Sequence, residues 1–381
     1  MAEKNQLGAY GPFAAEIMGR EIPALSLRSG KFRNLNAWRK QARARVHELL
    51  ASPPAPPLPK VKLEARGEHD GVAWERLSWQ LPYGPRTEAV FLKPAGAKPN
   101  EKLPGILGLH DHSGMKFFGW RKIAQIDDVV HPLVAECREA YRGLAWANEA
   151  ATRGFAVLVH DTFLFGSRRV RISDVLPPVA GGATDPGTDE RTNDVKAYNA
   201  WASEHEHLVA KSLFSAGTTW PAIYLQEDQV ALDILAARKD VDAKRLACGG
   251  LSGGGLRTVF LAGLDDRIRC CFCAGFMTTW RDLVLYKAWT HTWMTYLPLL
   301  PRDLDFPEIL GLRVPLPTLV LNCDADPLFT TSEAKIAGKI LADVYKRAGA
   351  PKAFRFSLYP GGHQLDPEMQ KEAFNWLDQW L

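Results

Sequence analysis

The chain has 381 residues, 46% hydrophobic and 24% charged, the composition of a globular protein able to bury a large core. Its formal charge of +4 is the difference between 47 basic and 43 acidic side chains. They are spread without runs of like sign, which argues against a nucleic-acid or membrane partner. The N-terminus lacks the basic start and apolar block of a signal peptide, and no apolar stretch is long enough to span a bilayer, so a cytoplasmic location is expected.

In chain order, Asn36 to Ala51 has apolar residues near helical spacing and runs into SPPAPPLPK, which predicts a helix ended by a proline-rich connector. Residues 1–60 are thus expected to form a helical extension, with one α/β domain over 61–381. The stretch from Val61 to Gly96 breaks at Asp70-Gly71 and again over Pro82 to Pro85. That predicts three antiparallel strands. From Leu103 onward the pattern becomes apolar strand, loop, helix, repeated through PGILGLH, GFAVLVHD, RLACGG, IRCCFCAG, LPTLVLN and FRFSLYP. Helix-like segments such as Asp228 to Arg238 and Ser332 to Ala348 separate the runs, as in a mainly parallel, doubly wound sheet with its site at the carboxyl ends of the strands. Two insertions interrupt the alternation. Residues 166–220 read as a long loop plus helix lying over the site, and the aromatic-rich residues 280–301 read as helical.

The six cysteines sit mostly in apolar runs and read as buried free thiols. Gly250-Leu251-Ser252-Gly253-Gly254 is a G-x-S-x-G sequence directly after an apolar strand and before a helix-compatible run. This is the context of a nucleophile held on a sharp turn, where glycines two residues to either side leave room. The following helix points its positive end at the serine and helps hold a developing oxyanion. Read blandly, the same stretch is a glycine-rich turn in which Ser252 caps a helix.

A serine hydroxyl needs an imidazole to take its proton and a carboxylate to orient that imidazole. In hydrolases with this turn both partners follow the serine in the chain. Only His291 and His363 lie downstream. His363, in YPGGHQL between the last strand and the last helix, has the position of the base, whereas His291 reads as a packed or substrate-facing histidine. After LPTLVLN both Asp324 and Asp326 qualify as the acid, and Pro327 favours Asp326 by biasing it towards an extended conformation. The two oxyanion donors are expected from the backbone N–H of Gly253 and, in the loop GLHDHSGMKFFGW, of His112, with His110 and Asp111 fixing that loop.

These motifs resemble the α/β-hydrolase superfamily, and within it the dienelactone-hydrolase-like branch that includes acetyl-xylan-esterase-like proteins. The resemblance runs from about Trp38 to the C-terminus. It is carried by LHDHSG with its aromatic loop, RGFAVLVHDTFLFGSRR, VDAKRLACGGLSGGGLRTVFLAGLDDRI, LNCDADPLF and PGGH. It implies an α/β-hydrolase fold with an N-terminal helical extension, antiparallel first strands and an inserted lid-like region. It also implies a triad of Ser252, Asp326 and His363, with His112 and Gly253 at the oxyanion positions. Dienelactone hydrolases use a cysteine nucleophile. The serine here favours oxygen esters, such as an acetylated carbohydrate or another small ester, cleaved without metal or cofactor.

Candidate substrate contacts are Asp111, Trp120, Arg168, Trp220 and His291, with Trp280 and Trp293 as further rings able to stack on sugars. Arg168 and Arg169 orient an anionic or sugar substrate or else form a surface pair. Competing readings are a peptidase or thioesterase on the same triad, a metal-dependent amidohydrolase in a TIM barrel using His110 and His112, and a non-catalytic binding protein. Glu204-His205-Glu206-His207 reads as a solvated helix face.

Overall fold

The computed structural model describes residues 4–19, 22–98 and 101–381. Nine strands form one sheet: β1 (Lys62–His69), β2 (Val72–Trp79), β3 (Thr87–Pro94), β4 (Leu103–Gly108), β5 (Ala156–His160), β6 (Val241–Leu251), β7 (Ile268–Ala274), β8 (Thr318–Cys323) and β9 (Phe354–Tyr359). Their order is β1-β2-β3-β5-β4-β6-β7-β8-β9. The first three and the β3·β5 join are antiparallel, and every pair from β5·β4 to β8·β9 is parallel. This open sheet is the predicted doubly wound architecture. It excludes the TIM barrel of the metal-dependent alternative, because β1 and β9 remain edges.

The period-2 pleat sorts side chains to two cores. Leu107, Leu158, Cys248, Cys271, Cys273 and Val320 face one core, and Ile106, Val157, Ala247, Cys270, Phe272 and Leu321 face the other. All six cysteines are free and buried, and they serve as small apolar side chains. The hairpin between β1 and β2 turns on Asp70 and Gly71, both at positive φ (47° and 74°), the conformation a two-residue hairpin requires.

The helices are α1 (Gly11–Met18), α2 (Leu35–Leu50), α3 (Pro132–Arg138), α4 (Trp146–Thr152), α5 (Pro177–Ala180), α6 (Thr192–Ala216), α7 (Trp220–Ala236), α8 (Gly253–Leu264), α9 (Trp280–Leu285), α10 (Phe306–Gly311), α11 (Thr331–Arg347) and α12 (Pro367–Trp380). Asn34 caps α2, and Trp38, Ala42, Val46 and Leu50, spaced by four, bury one of its faces in the main core. Arg39 and Arg43 tie its other side to Asp266.

The segment 280–301 is not the continuous helix its aromatics suggested. It is the short α9 followed by 3-10 turns at Ala288–Thr290, Trp293–Thr295 and Leu300–Arg302. The Thr290 hydroxyl bonds the carbonyls of Lys287 and Leu328, the Thr292 hydroxyl caps Met294, and Pro298 removes a donor, so local side-chain bonds replace helical ones.

Below the carboxyl ends of the strands lies a buried charge cluster. Arg257 of α8 donates through Nε to Asp228 Oδ2 of α7 at 3.1 Å, and His160 at the end of β5 lies 2.9 Å from Asp228 Oδ1. Arg257 Nη1 also reaches the carbonyl of His110 at 3.4 Å. All three side chains are essentially inaccessible to solvent. The cluster therefore joins two helices to the ends of two neighbouring strands. Removing one partner strands a buried charge, so Asp228→Ala is expected to lower stability by about 3–5 kcal/mol. Urea unfolding of wild type and variant measures it.

Candidate active site

Ser252 stands between β6 and α8 with φ 58° and ψ −120°, a strained conformation for a side-chain-bearing residue. What permits it is space. A Cβ at Gly250 would lie 2.1 Å from the Leu109 carbonyl oxygen, and one at Gly254 would lie 2.0 Å from the same atom. The end of β4 thus packs against the backbone on both sides of the serine. Beside it the His112 amide packs against the start of α8, since a Cβ at Gly253 would be 3.0 Å from the His112 nitrogen. The Gly253 amide opens α8 and is one of those a helix leaves unpaired. That of His112 has no acceptor among the described residues. Two adjacent N–H groups therefore converge beside Ser252.

His363 follows β9 and donates from Nδ1 to Asp326 Oδ2 at 2.6 Å. This bond fixes the tautomer and leaves the lone pair on Nε2, which is buried and has no hydrogen-bond partner among the described residues. Asp326 Oδ1 accepts from the Leu328 amide at 2.9 Å, so the carboxylate is held at both oxygens. Asp324 does different work: its Oδ1 accepts from the Gly361 amide at 3.1 Å and ties the β8 loop to the loop carrying His363. Gly275, at φ 56°, makes room for the imidazole, because a Cβ there would meet His363 Cε1 at 3.0 Å.

Ser252, Gly253, His112, Asp111, His291 and His363 line one cavity of about 250 Å³, whose remaining walls include Leu256, Phe276, Met294 and Leu328. The segment covering it is 290–295. No residue of 166–220 lines it, contrary to the expected lid. Instead α6 packs behind the oxyanion loop. Glu206, read from sequence as part of a solvated face, is buried and meets His112 Nε2 at 2.8 Å and Lys116 Nζ at 2.5 Å. Gly114 donates to His112 Nδ1 at 2.9 Å, so the imidazole proton sits on Nε2 and points at Glu206.

The rest of the loop is held by a second buried cation. Lys122 donates to the carbonyls of Asp111 and His112 at 2.7 and 2.9 Å. Tyr141 donates to Asp111 Oδ1 at 2.6 Å, and Ser113 donates to Oδ2. Asp111 is thereby committed to the loop and not to a ligand. The ammonium groups of Lys116 and Lys122 both lie over the Phe165 ring, at 4.4 and 4.8 Å from its centroid. Burial pulls both lysines down from their ordinary range, and Glu206 and Asp111 respectively counter it. Burial alone would raise Glu206, but the bond from His112 and the charge of Lys116 hold it at about 2.

His291 is brought to the cavity in a loop, not a helix. Its Nδ1 donates to the Lys287 carbonyl at 2.9 Å, its ring meets Phe276 and Phe329 edge to face, and burial lowers its basicity. Three other expected contacts lie elsewhere. Arg168 is buried against Glu227 at 2.6 Å and the Tyr83 carbonyl at 3.0 Å, a clamp between loop and helix rather than a substrate contact or a surface pair. Trp220 is buried beside Lys116, and Trp120 borders a different cavity. Trp280 is buried on Phe306, whereas Trp293 is 40% exposed. His110 is buried within the loop, and among the described residues no cluster of three or more His, Cys, Asp or Glu could hold a metal. No helix of the described residues is long and apolar enough to cross a membrane.

The sheet order, the strained serine turn and the loop that wraps it define the α/β-hydrolase fold. No protein-family profile matches the chain. It is 24% identical over 347 residues to the Bacillus subtilis protein named "Putative hydrolase YtaP", covering 90% of this chain and 100% of that one. Among solved structures it is similar to a "putative acetyl xylan esterase" of Bacteroides fragilis (TM-score 0.67, 16% identity, 93% of this chain and 82% of the other). It is also similar to a glucuronoyl esterase from Solibacter usitatus (TM-score 0.64, 15% identity, 95% and 99%). At these identities the likeness is one of fold.

Two outcomes follow from the geometry. Gly254→Ala drives a methyl into a backbone oxygen and is expected to cost about 3 kcal/mol or more, whereas Gly362→Ala, with nothing within 4 Å of its Cβ position, leaves the melting temperature unchanged. For Glu206 the folded carboxyl, at about 2, lies below its ordinary 4.5, so its stabilising effect is complete above the ordinary value and lost as pH falls from there towards about 2. The melting-temperature gap between wild type and Glu206→Gln is therefore expected to be widest near neutrality and to close over that acidic window.

Proposed function

We propose that this protein is a serine-dependent carboxylic ester hydrolase working through an acyl-enzyme. The observation that carries the reading is the convergence, in one cavity, of the strained Ser252, the oriented His363 and the paired amides of Gly253 and His112. Ser252 Oγ attacks the ester carbonyl carbon while His363 Nε2 takes its proton, and Asp326 stabilises the imidazolium. The two amides hold the oxyanion, which collapses and expels the alcohol as His363 returns the proton. Water, deprotonated in turn by His363, then attacks the acyl-enzyme and releases the acid.

The cavity favours a short acyl group. At about 250 Å³ it is smaller than the roughly 300–1,000 Å³ typical of small-molecule pockets. Thr290, Thr292 and Thr295 line it with their hydroxyls or methyls, and Trp289 and Trp293, next to them in the chain, are exposed at 76% and 40%. Exposed indoles beside the cavity suit a carbohydrate alcohol, which agrees with the carbohydrate esters named for the structurally similar esterases.

Two measurements test the reading. Ser252→Ala is expected to lose at least about 1,000-fold in p-nitrophenyl acetate hydrolysis, and retained activity overturns the assignment. Across p-nitrophenyl acetate, butyrate and octanoate, kcat/KM is expected to fall with chain length. A preference for octanoate contradicts the small acyl site.

A further inference from the structure

A second cavity, of about 450 Å³, lies further along the same loop and shares no lining residue with the serine cavity. Residues 111–114 border the first, and Phe117 to Arg121 border the second. Five arginines line it, and two of them are held in ion pairs. Arg121 is neutralised by Glu190 at 2.7 Å, and Arg76 faces Glu88 at 3.7 Å. Arg138, Arg169 and Arg171 line the same cavity and form no ion pair among the described residues.

Three carboxylates stand near these three: Asp161, Asp127, and Asp185, which accepts from the amides of Ile172 and Ser173 at 3.0 Å and whose charge acts on both Arg169 and Arg171. Asp161 is buried and occupied by the amides of Trp120 and Ser167 at 2.8 and 2.7 Å, and burial raises its carboxyl above the ordinary range. Asp127 is exposed and accepts from the Val129 amide. Arg138 spends four of its five donors on the carbonyls of Arg121, Lys122 and Ala124 and on Gln125, so it is held mainly by the loop.

Arg169 is arranged otherwise. Its guanidinium lies over Phe117, 4.3 Å from the ring centroid, and Nη1 donates to the Gly166 carbonyl at 2.9 Å. Its Nε is buried with no acceptor. The Nε and Nη2 edge is the fork that receives a carboxylate through two parallel bonds. Leaving that buried donor unpaired is costly unless a ligand supplies the acceptor. Phe118, Ile126, Val130 and Val134 also line the cavity and supply apolar surface, with Arg121 and His131 against the Phe118 ring.

From this arrangement we propose that the second cavity is a binding site for a small organic carboxylate with an apolar ring body, held by the Arg169 fork, with Arg171 at the rim. The test is isothermal titration with benzoate, with benzyl alcohol as its uncharged counterpart and inorganic phosphate as an anion without a ring. Benzoate is expected to bind saturably at one site, and the other two probes at least tenfold more weakly. Arg169→Gln is expected to weaken benzoate tenfold or more and the exposed Arg171→Gln severalfold, both with unchanged p-nitrophenyl acetate hydrolysis.

Benzoate binding that persists undiminished in both variants, benzyl alcohol binding as tightly as benzoate, or no saturation by about 10 mM benzoate each overturns the proposal. Should Arg169→Gln fail to fold, Arg171→Gln and Arg169→Lys, which keeps the charge but loses the fork, decide it. Titration with the Ser252→Ala protein separates this outcome from that of the hydrolase reading, because it requires no turnover.

Discussion

The carbonyl oxygen of Leu109 occupies the space that side chains at Gly250 and Gly254 would need. That single contact brings the end of β4 against the serine turn, and the rest of the site depends on it. Were the strand end held farther off, the Ser252 turn would lose the neighbour it is built against, and the amide of His112 would move away from that of Gly253. Two glycines thus set the distance between Ser252 and the amides of Gly253 and His112. Backbone strain at Ser252, of the order of 1–3 kcal/mol, persists because the surrounding contacts leave no relaxed alternative.

Close packing places the loop, and buried charge keeps it there. Lys116 and Lys122 flank Phe165, each with its own anchor: the Glu206 carboxylate for one, the carbonyls of Asp111 and His112 for the other. Below them Arg257 joins Asp228, His160 and the His110 carbonyl. Three desolvated cations around one short loop would be unfavourable if mispaired, so the loop has few alternative conformations of comparable energy. Rigidity of the donors matters to an oxyanion site, because dipoles already aimed need no reorganisation as charge develops.

The sheet was legible because its signals are local. Apolar runs of strand length, Asp70-Gly71 at a hairpin and the glycines around Ser252 each act within a few residues. Asp326 over Asp324 was also readable, since Pro327 shapes its immediate neighbour. Glu206 was not: its partners His112 and Lys116 lie about ninety residues earlier, and an i, i+2 charge pattern on a helix looks solvated until another element covers it. The same applies to Arg168, whose acceptors Tyr83 and Glu227 come from separate parts of the chain. Trp120 and Trp220 were expected at the substrate because aromatics bind sugars, but bulky rings are more often buried, as these are. In 280–301 the aromatic spacing suggested a helix, and threonine hydroxyls bonding their own backbone broke it.

The loop from Leu109 to Ile123 borders both cavities, and its construction differs along its length. At the serine end, backbone amides point inward and the side chains are committed to neighbours, so recognition there falls to N–H groups and shape. At the other end the backbone is tied down by Asp161 and Arg138, and the flanking side chains face open space. Lys122 links the two, because its ammonium holds the carbonyl of His112 while its own carbonyl accepts from Arg138 Nε at 3.2 Å. Arg138 and the His112 carbonyl are therefore two hydrogen bonds apart, through Lys122. Lys122 is fully buried, so the two ends of the loop are joined through one desolvated side chain whose bonds to the Asp111 and His112 carbonyls fix the serine end.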